Sequence, residues 1–222
     1  MYWEFKFPVL TNPSIYRIPL RRDFYFAMKR YFIVYKPYWV LSQFSTQLNK
    51  KTLADYFIVP KNVYSVGRLD EDSEGLLILT DDEKLNHRLL DPSFAHEREY
   101  WVQVEGIVTQ QPINQLQHGV EININGKLYK TKHCIVSIFK EPPSLPSRNP
   151  PVRFRKNIPT TWIKIILGEG KNRQIRKMTA KVGFPTLRLI RYRIEDLELG
   201  NLQPGEMIEL SQRTIYQKLF HE

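Results

Sequence analysis

Four carboxylates crowd the segment Gly67-Arg68-Leu69-Asp70-Glu71-Asp72-Ser73-Glu74-Gly75, which is closed at each end by glycine and flanked by apolar stretches. Acids at this density suggest a metal site. Asp70, Asp72, Glu74, Gly75 and Asp81 nearly match the calcium-loop spacing D-x-D-x-D-G-x5-E. The flanks argue against it: a calcium loop of that type joins two helices and ends in a bidentate Glu, whereas here both flanks read as strands and the last acid is Asp81. A loop held between strands is instead where a rigid scaffold presents a reactive group, and an acid such as Asp70 is then a candidate for chemistry on a substrate.

Two further segments carry reactive types. In Glu169-Gly170-Lys171-Asn172-Arg173-Gln174-Ile175-Arg176-Lys177-Met178, helical spacing puts Ile175, Met178 and Val182 on one apolar stripe and Arg173, Arg176 and Lys177 on another side. Cations in the first turns of a helix oppose its dipole, so these need a phosphate or a buried carboxylate nearby, or else full solvation on an exposed basic helix. In Arg98-Glu99-Tyr100-Trp101-Val102-Gln103-Val104-Glu105-Gly106 the residues alternate, with Tyr100, Val102 and Val104 on one face. Tyr100 suits either a core or a base-stacking role.

The elements that must position these groups follow from local pattern. Tyr31 to Val34 reads as a strand ending before Pro37, Val63 to Val66 as a short strand, and Leu76 to Leu79 as a buried one. Thr80 with Glu83 predicts a capping box for a helix carrying Leu85 and Leu89. Lys51 to Tyr56 predicts a helical turn or two, and Pro112 to His118 a short helix closed by Gly119. Asn125-Gly126 predicts a hairpin between Glu121–Asn123 and Leu128–Ser137. Glu141 to Pro159, rich in proline, predicts a loop. Thr161 to Leu167 predicts a strand, Asn172 the cap of a helix running through Val182 to Gly183, and Met207 to Leu210 a late strand. Strands outnumber helices and hairpins recur, which predicts an α+β fold with largely antiparallel pairing.

Composition bounds the function. The 222 residues suffice for one large domain or two small lobes. No apolar run reaches about 18 residues, the length a membrane helix needs. The single cysteine, Cys134, excludes an internal disulfide framework and a multi-cysteine zinc site; it sits in an alternating apolar stretch, as a buried structural thiol would, and a reducing, cytoplasmic compartment is the natural expectation. The net charge of +10 is uneven: from Leu145 to Arg193 thirteen Lys or Arg face one acid, Glu169. That block suggests an anionic partner, nucleic acid above all, although charge alone leaves a solvated basic face open. Residues 1–28 read as an N-terminal extension, poorly ordered or not native, and 29–222 as the functional domain.

Taken together, the three segments resemble the pseudouridine synthase superfamily, in its RsuA group. Gly67-Arg68-Leu69-Asp70 with Gly75-Leu76-Leu77 resembles the group's GRLDxxxxGLLxLT signature, Arg98-x-Tyr100-x-Val102 its basic-x-Tyr element, and Gly170 to Arg176 its GxNRQIRRM element. Departures are Asp81-Asp82 after the Thr, and Arg98 where Lys is usual. The resemblance implies a bent, mainly antiparallel mixed sheet with flanking helices and a central RNA-binding cleft. It implies isomerisation of one uridine in large-subunit (23S) ribosomal RNA, without cofactor or metal, since the reaction moves no electrons and activates no water. It casts Asp70 as the essential carboxylate, Tyr100 as the residue stacking on the flipped base, and Arg176 as the cation that partners Asp70 in a water-poor pocket. Arg68, Arg173, Lys177, Arg188, Arg191 and Lys36 are the expected substrate contacts. Residues 1 to 30 are too short for the S4 RNA-binding module of many relatives, so grip on the RNA falls to the catalytic domain and its basic block, in a chain for which nothing demands more than a monomer. A silent RNA-binding or ribosome-assembly protein on the same fold is the alternative.

Overall fold

In the computed structural model, residues 28–153, 155 and 157–222 are described. The expectation for the N-terminal extension therefore falls, save for Met28, outside the described residues.

The described residues form thirteen strands and four α-helices. In order these are β1 (Tyr31–Lys36), β2 (Val40–Leu41), β3 (Lys51–Thr52), β4 (Tyr64–Ser65), β5 (Glu74–Thr80), α1 (Glu83–Leu90), β6 (Arg98–Glu105), α2 (Gln110–Gln117), β7 (Glu121–Ile124), β8 (Lys127–Lys130), β9 (Ile135–Ile138), β10 (Thr160–Leu167), α3 (Gln174–Lys181), β11 (Thr186–Ile194), β12 (Leu197–Glu198), β13 (Met207–Leu210) and α4 (Gln212–Phe220). Seven strands run side by side in the order β13-β1-β5-β11-β6-β10-β9, with β4 on β5 and β12 on β11 completing a nine-stranded sheet. Every pairing in it is antiparallel except β5 with β11. The α+β class and mixed, mainly antiparallel sheet expected from the sequence are thus the observed ones. No helix among the described residues is long and apolar enough to cross a membrane.

Side-chain alternation splits the core into layers. β1 and β5 are buried on both faces, which is why each is an almost continuous apolar run. Tyr31, Ile33, Tyr35, Leu76 and Ile78 pack on one side with Leu85 and Leu89 of α1 and Ile215, Leu219 and Phe220 of α4. Phe32, Val34, Leu77 and Leu79 pack on the other with Val40, Leu53 and Phe57. A third cluster joins Val102, Val104, Ile163 and Ile165 of β6 and β10 to Ile113 and Leu116 of α2 and Ile175 and Met178 of α3. Each fully buried Leu or Ile contributes about 1.5–3 kcal/mol relative to exposure.

The two halves of the sheet meet at one narrow place. β5 and β11 share only the register pairs Ile190↔Glu74 and Arg191↔Gly75. Gly75 sits there at φ +107°, and a Cβ on it would lie 2.3 Å from the Arg191 carbonyl oxygen. The second glycine of the acidic segment is therefore fixed by a close backbone approach that no side chain permits.

Several boundaries differ from expectation. α1 is capped by Asp82, whose Oδ1 accepts from the Lys84 and Leu85 N–H groups, while Thr80 ends β5 and its hydroxyl accepts from Asp82 N–H. The Lys51–Tyr56 stretch holds the short β3 and a single 3-10 turn. The hairpin at Asn125-Gly126 forms, but its second strand ends at Lys130; the residues beyond leave it, and Ile135–Ile138 pairs with β10 instead. Cys134 is half-buried beneath α2, its thiol facing the Leu116 carbonyl at 3.2 Å and pushed up to about 11 by burial.

Candidate active site

A cleft of about 610 Å³ opens where the half-sheets meet, and four distant parts of the chain line it. The loop before β5 supplies Arg68, Asp70 and Glu71; β6 supplies Arg98 and Tyr100; the start of α3 supplies Lys171, Asn172 and Arg173; and β11 supplies Arg191. Asp70, Tyr100, Arg68, Arg173 and Arg191, all singled out from the sequence, thus share one cavity.

The backbone around Asp70 is held on both sides. Ser42 Oγ accepts from Leu69 N–H at 3.0 Å and donates to Leu69 C=O at 2.8 Å, and Ser73 N–H closes a turn onto Asp70 C=O at 3.0 Å. Glu71 C=O accepts from Trp39 N–H at 2.8 Å, and the Glu71 carboxylate pairs with Lys50 at 2.8 Å. The Asp70 carboxylate itself has no close partner among the described residues. Its nearest cation is Arg173, at 3.9 Å, and its side chain is 33% exposed, so the cleft is open to water at this point.

Arg176 does not partner Asp70 as expected. Its Nη2 donates to the Asp72 C=O at 2.6 Å and its Nε lies 3.3 Å from Asp72 Oδ2. Arg173 grips the same carboxylate bidentately, at 2.9 and 2.8 Å. Asp72, two residues past Asp70, is the acid that the helix-terminal cations required. Burial by itself would raise its carboxyl, but the Arg173 hydrogen bonds and both guanidinium charges outweigh that and hold it below the usual carboxylate range. Burial pushes the Arg176 guanidinium down, with Asp72 opposing.

Helix α3 also begins later than its sequence suggests. Arg173, at φ +52°, is the cap residue, and Gln174 Oε1 reaches back to accept from Lys171 N–H at 2.9 Å. Gln174 Nε2 donates to Glu169 at 2.6 Å, and Glu169 also accepts from Tyr129 Oη at 2.5 Å and Lys132 N–H at 2.9 Å. The lone acid of the basic block thus ties the end of β8 to the start of α3.

Three expected substrate contacts lie elsewhere. Lys36 is fully buried, with Nζ donating to the carbonyls of Pro37 at 2.9 Å and Val40 at 2.6 Å and approaching that of Glu71 at 3.4 Å; burial pulls its ammonium down to about 7. Arg188 is buried in a bidentate pair with Glu74, 2.8 Å at each contact, and donates to Pro146 C=O. Lys177 is half-buried on α3 and, like Lys36 and Arg188, is not among the residues lining the cleft. The basic block is therefore not one solvated face: Arg188 and Arg193 pair with buried acids, Arg193 with Glu99 at 3.2 Å, while Arg173 and Arg191 face the cleft. The other acids of the segment likewise end on different partners, Glu71 on Lys50, Asp72 on α3 and Glu74 on β11, which accounts for their density without a metal.

Arg191 has a distinct environment. It is the cross-strand partner of Tyr100 and is buried, with Nε donating to Leu76 C=O at 2.8 Å. Its Nη2 is buried with no hydrogen-bond partner, although the residue lines the cleft. Burial pushes this guanidinium down, and the Tyr100 side chain set against it opposes that.

A profile of RNA pseudouridylate synthases matches residues 30–181. The chain belongs to the RNA pseudouridylate synthase family. Like its relatives it is an enzyme that isomerises uridine in RNA. It is 48% identical over 182 residues to ribosomal large subunit pseudouridine synthase E of Vibrio parahaemolyticus, covering 82% of this chain and 74% of that one. It is 49% identical over 171 residues to the enzyme of that name from Xanthomonas axonopodis pv. citri, covering 76% and 87%. A crystal structure of a pseudouridylate synthase, 25% identical, superposes with a TM-score of 0.69 over 86% of this chain and 74% of the other. For this synthase the acidic loop, the tyrosine strand and the α3 terminus thus carry the family's three sequence elements to one cleft.

The sequence reading does not single out Ser42, Tyr129 or Lys132. Ser42 and Lys132 carry no local signal. Asp72 stands in the acidic segment, but its sequence signal is that of a calcium-loop position and not of a partner for the α3 cations.

Proposed function

We propose that residues 29–222 form a catalytic domain that converts one uridine of large-subunit ribosomal RNA to pseudouridine, with Asp70 as the essential carboxylate. The observation that carries this reading is the convergence of Asp70, Tyr100, Arg173 and Arg191 on one cleft from four separate parts of the chain.

The reaction breaks the bond from ribose C1′ to uracil N1, joins C1′ to C5, and moves the C5 proton to N1. The target base leaves its stack to reach the cleft, which costs about a few kcal/mol. Tyr100 stacks on the flipped uracil and its hydroxyl assists removal of the C5 proton. Asp70 acts on the ribose, as nucleophile at C1′ or as base. The Arg173–Asp72–Arg176 cluster keeps a positive potential beside Asp70, and Arg173 and Arg68 contact phosphate. The detached uracil must be held while it turns, and stacking on Tyr100 holds it. No cofactor or metal enters this scheme, and a single copy of the chain carries every group it uses.

Carbodiimide-dependent reverse-transcription stops on large-subunit rRNA, compared between cells with and without the gene, test the reading. One stop should vanish on deletion and return with wild type but not with Asp70→Asn. Restoration by Asp70→Asn removes Asp70 from its role; an unchanged stop pattern refutes the rRNA substrate.

A further inference from the structure

The loop between β1 and β2 presents an aromatic surface that neither the core nor the cleft uses. Trp39 is 57% exposed and stands at φ +64°, a left-handed conformation that sterically disfavours a bulky L side chain. Its ring meets that of Tyr38 at 5.5 Å, and the Arg148 guanidinium lies 4.1 Å from the Tyr38 ring centre. Arg148 is itself held, donating to the carbonyls of Pro150, Pro151 and Leu187. The loop is also tied to the catalytic segment, by Trp39 N–H to Glu71 C=O at 2.8 Å and by the buried Lys36 bridging Pro37, Val40 and Glu71. Leu41 and Ser42, which follow directly, line the cleft.

An exposed tryptophan in a disfavoured backbone region, anchored beside the reactive carboxylate and flanked by a fixed guanidinium, is arranged as a platform. We propose that Trp39, with Tyr38 and Arg148 beside it, is a second base-binding subsite at the rim of the cleft, which stacks an unpaired nucleobase of the substrate RNA next to the flipped uridine. The inference rests on the synthase reading and extends it to how the RNA is gripped. The chemistry selects the occupant: stacking accepts any base through its π-face, and the adjacent cation, Arg148 over the Tyr38 ring, suits the negative backbone that such a base carries. Unpairing the target leaves its neighbours exposed, and a platform that stacks one of them offsets part of the opening.

Trp39→Asn separates this role from a structural one, because Asn tolerates the left-handed region. It is expected to melt above wild type, yet to raise KM for a large-subunit rRNA transcript about tenfold, with kcat little changed, since each tenfold corresponds to about 1.4 kcal/mol of the stacking range. An unchanged KM overturns the proposal. Tryptophan fluorescence gives a second arm, titrating wild type with a short oligouridylate and with a ribose-phosphate oligomer of equal length lacking bases. Quenching by the oligouridylate alone, lost in Trp39→Phe, supports the platform; equal quenching by both oligomers, or quenching that survives in Trp39→Phe, overturns it. A transcript that wild type leaves unmodified counts against the synthase reading instead, and the fluorescence arm still decides the platform.

Discussion

Gly75→Ala probes the backbone pairing that joins the two half-sheets. A Cβ there would lie 2.3 Å from the Arg191 carbonyl oxygen, 2.8 Å from its nitrogen and 3.0 Å from its carbonyl carbon. Real Cβ contacts do not fall below 3.0 Å, so β5 and β11 must part by about 0.7 Å at the least, and the obstacle is backbone that cannot rotate away. The parting acts on a junction of two register pairs beside the buried Arg188–Glu74 pair. Placing an L-residue at φ +107° costs about 1–2 kcal/mol, and overpacking against fixed backbone adds about 1–3 kcal/mol, so the expected loss is about 2–5 kcal/mol. Gly126→Ala is the matched control: Gly126 has φ +84° but nothing within 4 Å of its ideal Cβ, and should lose only the conformational part. Urea unfolding followed by circular dichroism measures both, with the difference between the variants assigned to the clash. Gly75→Ala should also lose turnover out of proportion to its folded fraction, because Asp70 and Arg191 stand on opposite sides of the junction. If the two variants lose equal stability, the junction is not the tight contact described and the account of Gly75 is wrong.

Tyr100→Phe should bind RNA within a few fold of wild type yet turn over slowly; a normal single-turnover rate would remove the hydroxyl from the chemistry. Asp72 is held below the usual range of about 3.9, so its contribution to stability is complete above that pH and is lost as pH falls through the lower folded value. The melting difference between wild type and Asp72→Asn should therefore be widest near neutrality and close in strong acid; a constant difference would show that the Arg173–Asp72–Arg176 cluster is not electrostatic in origin. Arg68 lines the cleft and is exposed, so Arg68→Gln should reduce the slope of log affinity for RNA against log salt by about 0.7–0.9, and an unchanged slope would place no phosphate on it.

The chemistry-bearing segments were legible because each has a strong local signature: paired glycines around acids, a basic helix start, an alternating aromatic strand. β11 was not. Its sequence, TLRLIRYRI, alternates arginine with apolar residues and reads as part of a basic surface, yet it is the central strand, and its arginines are tolerated there by Glu74, Glu99 and the cleft. Those partners lie roughly a hundred positions away, beyond any local pattern. Helix α4 escaped for a milder reason: only Ile215, Leu219 and Phe220 are buried, and its cap, Ser211, has no capping-box partner to announce it.

By itself the sequence determined which segments carry residue types capable of chemistry and which are buried, since residue type, glycine placement and period act over a few neighbours. Only the tertiary structure decided who pairs with whom. It gave Arg173 and Arg176 to Asp72 rather than Arg176 to Asp70, buried Lys36 and Arg188 away from the cleft, and left Arg191 with an unmet donor beside Tyr100. Charge partners are set by angstrom distances across a sheet junction: the turn that Ser73 N–H closes onto Asp70 C=O brings Asp72 onto both α3-terminal arginines and leaves Asp70 only the more distant Arg173.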